Sequence, residues 1–225
     1  IGRHIKLGEI IWQTKSVPQT NLFSFTEPDR PFINHHWLSE VAFFFLAGII
    51  GLKGLIVFKA VVITTAFLLI FLGIKKESGT WPFMISGLLG ILVFSNRTDV
   101  RPKIFSYLFL AYFLFAIFRS KYQNQSKWLL ALPFIQILWT NSHIYFALGP
   151  GLLFFYLIER FLNKSNGIDK KRLLWIFIAT TAATLINPNF LRGALAPFNI
   201  LKDYGYSIVE NQSIFFLQNY GSGLH

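Results

Sequence analysis

Six stretches of this chain are built almost wholly from apolar side chains, and short polar loops separate them. The runs cover residues 55–74, 81–95, 104–118, 128–139, 144–158 and 173–186. A backbone in hydrocarbon must satisfy its own hydrogen bonds, which leaves helices or closed barrels. These runs are continuous rather than alternating, so the pattern predicts helices. A seventh apolar run, 38–50, holds 13 residues, broken by Gly51, Lys53 and Gly54. A helix rises about 1.5 Å per residue, so this run is too short to cross and reads as an interfacial helix.

Composition agrees. Charged residues make up 14% of the 225, and 53% are hydrophobic, 26 of them Phe, against about 25% charged residues in ordinary soluble domains. The expected fold is therefore all-α: a polytopic helical membrane protein with about six transmembrane helices plus the interfacial helix. Its parts are an extracytoplasmic loop at 1–54, a six-helix region at 55–186 and an extracytoplasmic segment at 187–225. Several runs fall short of 20 residues, which implies ends that extend into the loops or a thinned bilayer. With no Cys, disulfides, thiolate metal sites and Cys nucleophiles are excluded. The net charge of +11 reads as loop charge meeting lipid headgroups, not nucleic acid. The sequence opens at Ile1 without a signal-like segment and reads as an internal piece of something longer.

Loop charge sets an orientation. The loops 75–80, 119–127 and 160–172 hold 10 basic residues in 28 positions, while 1–37, 96–103, 140–143 and 187–225 hold 9 in 88. The positive-inside rule puts the denser set in the cytoplasm. All five His and seven of the ten acidic residues then fall on the outer side. The alternation works only if 38–50 does not cross.

The outer side carries the candidate chemistry. Asp29, Arg30, His35, His36 and Glu40 lie beside the membrane surface, where His can move protons and a carboxylate can act as base. The same residues fit an interfacial anchor equally well, with Glu40 at a helix start. Arg97, Arg101 and Lys103 could clamp an anion; Arg97 and Asp99 could equally form a local pair. Lys59 lies inside a span, where a charge is costly, or it snorkels to the outer interface. Asn141 and His143 occupy a tight outer turn, and Asn187 ends the last run before Pro188. There is no GxGxxG, Walker loop, HExxH or GxSxG.

Several of these stretches together resemble a family. Gly8-Glu9, Val17-Pro18, Phe23-Ser24-Phe25-Thr26 and Pro31-Phe32-Ile33-Asn34-His35-His36-Trp37-Leu38-Ser39-Glu40 resemble the first extracytoplasmic loop of bacterial GT-C-type membrane glycosyltransferases. These are relatives of the polyprenyl-phosphate-sugar-dependent mannosyl- and arabinosyltransferases. Arg101-Pro102-Lys103-Ile104-Phe105-Ser106, Trp139-Thr140-Asn141-Ser142-His143 and Asn187-Pro188 are similar to later landmarks. The resemblance implies a polyprenyl-phosphate-linked sugar as donor and transfer at the outer face of a bacterial plasma membrane. No cofactor is predicted, and the resemblance leaves the use of a divalent metal and the identity of the acceptor open. It also places the main catalytic acid a few residues before His4, ahead of Ile1. His35, His36, Glu40 and His4 are then the catalytic candidates, with Lys59, Arg97, Asp99, Arg101, Asn141 and His143 as substrate-binding candidates. The competing readings are a transporter or flippase-like carrier, which would show deep charges and inverted repeats, and a non-catalytic subunit of envelope polysaccharide assembly.

Overall fold

A computed structural model describes residues 1–26, 29, 31–95, 99–163 and 168–199, with only the backbone described at 75–78 and 93–95. Among these residues there are eight α-helices and no strand. They are α1 (Gly2–Thr14), α2 (Trp37–Ser78), α3 (Thr80–Ser95), α4 (Lys103–Gln123), α5 (Leu132–Ser142), α6 (Leu148–Leu162), α7 (Lys170–Ala183) and α8 (Phe190–Asn199). Short 3-10 segments, Ser126–Ala131 and Ile144–Ala147, lead into α5 and α6. Local chemistry marks the ends. Asp169 caps α7 by accepting from the Arg172 amide at 3.0 Å. Asn124 closes α4 in the left-handed region, its amide bonded to the Arg119 carbonyl.

α2 is the longest element and is not one straight rod. At Gly51 the backbone takes φ 68° and ψ 176°, outside the helical region. Only Gly enters that region readily. The break falls where the apolar run 38–50 was expected to end. The stretch Trp37–Ile74 has 38 apolar-rich residues, or about 57 Å of helix, nearly twice the ~30 Å hydrocarbon core. The part after Gly51 is long enough to cross by itself.

Three helical stretches are long and apolar enough to cross a membrane: Trp37–Ile74, Lys103–Gln123 and Ile144–Leu162. The remaining expected spans are shorter: α3 has 16 residues, α5 has 11 and α7 has 14. The structure therefore supports a helical protein with three candidate spans. α1 and α8 lie in the stretches expected to be an extracytoplasmic loop, 1–54, and an extracytoplasmic segment, 187–225. α1 buries Leu7, Gly8 and Ile11 against α2, a 3–4 spacing that marks one helical face.

Two apolar clusters hold the helices. The larger joins α4 through α7 around Phe113, Leu132, Trp139, Leu153 and Leu173. The smaller joins α2 to α4 through Phe43, Leu55, Val62 and Ile104. Outside them the surface is apolar: on α3, Trp81, Met84, Ile85, Leu88, Ile91 and Leu92 are each more than half exposed. In water such a face would be an aggregation patch. Against acyl chains it carries no penalty, which is the physical content of the membrane assignment.

Candidate functional site

The start of α2 organises the polar centre of the molecule. Asn34 folds back on the chain, its Oδ1 accepting from the His36 amide at 2.9 Å. Its Nδ2 donates to Oε2 of Glu40 at 2.7 Å. The other carboxylate oxygen, Oε1, lies 2.8 Å from Nδ1 of His4 on α1. Glu40 is 1% exposed, so a buried carboxylate has both oxygens engaged, as burial demands. Gly8 makes this docking possible. A Cβ there would stand 2.1 Å from the Glu40 carbonyl oxygen, so only a glycine lets α1 approach so closely.

Three imidazoles continue from this pair. The His4 and His36 ring centres are 5.9 Å apart, those of His36 and His143 5.3 Å. The His143 ring meets Tyr145 edge-on at 4.5 Å. Nδ1 of His143 is 2.8 Å from the Ser106 hydroxyl, which accepts from the Trp139 indole at 2.8 Å. The hydroxyl has one proton and two lone pairs, so with one lone pair taken by the indole it can still either donate to Nδ1 or accept from it.

Burial pushes His35, His36 and His143 toward the neutral form. It lowers His35 from 6.5 to about 4. It lowers His143 to about 4, helped by the Lys103, His35 and His4 charges. His36 falls well below its ordinary value through burial first, then through His143, His4, His35 and Arg3. Neutral imidazoles near pH 7 can take or relay protons.

Two fasteners hold the elements in register. The Trp37 indole donates to Oδ1 of Asn141 at 2.7 Å, and Nδ2 of Asn141 donates to the Ile137 and Ile186 carbonyls. Ser39 donates to the Ser142 carbonyl at 2.9 Å. The side chain of Asn141 is thus occupied in clamping α2, α5 and the end of α7.

The expected site residues divide. His4, His35, His36, Glu40, Asn141 and His143 are brought together. Asp99 and Arg101 form an ion pair at 2.9 Å on a cleft of about 400 Å³ that Ile1 and Leu55 also line. Lys59 faces a second cleft of about 400 Å³ with Ile63 and Phe67; the two clefts share Ile56. Arg97 lies outside the described residues. Asn34, Ser106 and Trp139 were not foreseen as members. Asn and Ser occur everywhere, and only the fold shows that these reach a buried carboxylate and a buried imidazole. Among the described residues no group of three His, Asp or Glu is arranged to hold a metal ion. Comparison with family models, curated proteins and solved structures finds no match to this chain.

Proposed function

We propose that this chain is the membrane core of a glycosyltransferase that moves a sugar from a polyprenyl-phosphate donor to an acceptor at the outer face of a bacterial plasma membrane. One observation carries the reading. The stretches with the family resemblance, distant in sequence, supply the parts of a single buried cluster: Gly8 under Glu40, Asn34 through Glu40, Ser106, and Asn141 with His143. In this reading six helices cross, the loops 75–80, 119–127 and 160–172 face the cytoplasm, and the cluster lies at the outer surface.

The chemistry suits the place. A polyprenyl-phosphate sugar stands at headgroup depth, and its leaving group is an anion. Transfer needs cations at that depth and a group that takes the acceptor proton. Lys103 begins α4 and its charge acts on His143; with Arg101, two residues earlier, it supplies the charge, and His35 and His36 border the reacting centre. Membranes carrying the full-length protein, given a radiolabelled polyprenyl-phosphate sugar, should transfer the label to envelope glycans. Arg101→Ala should weaken donor use by about tenfold or more, as loss of one charge-assisted contact implies. Wild-type rates in Arg101→Ala and in His36→Ala would defeat the assignment.

A further inference from the structure

Glu40 is the most buried acid among the described residues, and neither of its oxygens is open to a substrate. Oε2 is held by Asn34 at 2.7 Å and Oε1 by His4 at 2.8 Å. A carboxylate offers only lone pairs, so the His4 contact fixes the proton of the imidazole on Nδ1. In the neutral ring the lone pair of His4 is then on Nε2. Among the described residues Nε2 makes no hydrogen bond, and the side chain is 15% exposed. His4 is tethered at its back and open at its front.

Resting on the glycosyl-transfer reading above, we propose that His4, and not the acid that the resemblance puts ahead of Ile1, is the proton acceptor of the reaction and that Glu40 is the residue that positions it. The acceptor hydroxyl oxygen forms a bond to the anomeric carbon while the bond from that carbon to the phosphate oxygen breaks. The phosphate leaves with the electron pair. The hydroxyl proton passes to Nε2 of His4, and the imidazolium so formed keeps its Nδ1–H on Glu40, where the carboxylate stabilises the new charge. Asn34 holds the carboxylate in the plane it needs. Gly8 brings α1 close enough for the contact. His36, beside His4 and held neutral by burial, places no opposing charge there.

Two measurements on the full chain in lipid nanodiscs test this. Nitrogen NMR of histidine-labelled protein, with His4 assigned by its loss in His4→Ala, should show Nδ1 protonated and Nε2 bare. The transfer assay with a radiolabelled polyprenyl-phosphate sugar should show His4→Ala slowed by about 10²- to 10⁴-fold, the usual worth of a general base. Added imidazole should restore part of that rate, which a purely structural defect would not allow. Glu40→Gln should lower kcat with little change in donor KM. A His4 protonated on Nε2, or an undiminished or unrescued His4→Ala in the presence of wild-type transfer, overturns the inference alone. The expected tautomer with no wild-type transfer from any such donor overturns the glycosyl-transfer reading, and the base role with it.

Discussion

At the scale of single residues, the cluster exchanges charge for burial. Unfolded, His35, His36 and His143 titrate near 6.5; folded, His35 and His143 titrate near 4 and His36 is also depressed. The unfolded chain therefore binds protons that the folded cluster refuses. Stability from this source is complete above about pH 6.5 and declines as pH falls toward 4, by about 1.4 kcal/mol per unit of depression for His35 and His143. Thermal melts in detergent should show the decline, and His143→Gln should flatten it. An identical slope in wild type and variant would contradict the assignment of His143. In the sequence the His and Glu40 show only as polar residues assigned to one side, equally fit for an anchor or for chemistry. Their partners distinguish bound atoms from open ones: Asn34 and His4 on Glu40, Ser106 on His143. Those partners come from separate elements, and no local pattern announces them.

At the scale of elements, two glycines set the geometry by different means. Gly51 has open space where a Cβ would go but a backbone near φ 68°, so Gly51→Ala adds no clash and imposes strain. That should cost about 1–3 kcal/mol, read as a lower melting temperature with the α1–α2 contact intact. Gly8 has ordinary helical backbone but no room, with the Glu40 carbonyl 2.1 Å from the Cβ position. Gly8→Ala should lift α1 from α2, and faster hydrogen exchange across Gly2–Thr14 with little change in α4 through α7 is the expected signature. The sequence showed the Gly51 break directly, because 13 apolar residues ended at a glycine-lysine-glycine stretch. It did not show α1. There Leu7 and Ile11 mark a helical face, but the adjoining Lys6, the intervening Glu9 and the nearby Pro18 made the segment read as polar loop.

At the scale of the whole molecule, apolar side chains outside and a polar hydrogen-bonded centre at the helix ends describe a protein whose solvent is lipid. The class was legible because continuous apolar runs admit few folds. The number of spans was not. Three helices reach spanning length, and α3, α5 and α7 end early, since helix ends depend on caps and packing that hydropathy does not encode. Absence of native cysteine makes orientation directly measurable. In intact cells an impermeant maleimide should label Thr26→Cys and spare Lys127→Cys until the membrane is opened; the reverse pattern would invert the proposed sidedness. The central claim is that the His-rich cluster performs glycosyl transfer. Its most direct test is transfer from a radiolabelled polyprenyl-phosphate sugar by membranes carrying wild type, His36→Ala or Phe155→Ala, the last altering an exposed apolar residue of α6. A fall of roughly 10²-fold in His36→Ala, beside a rate within about twofold of wild type in Phe155→Ala, is the expected result, and equal rates in all three would contradict the account.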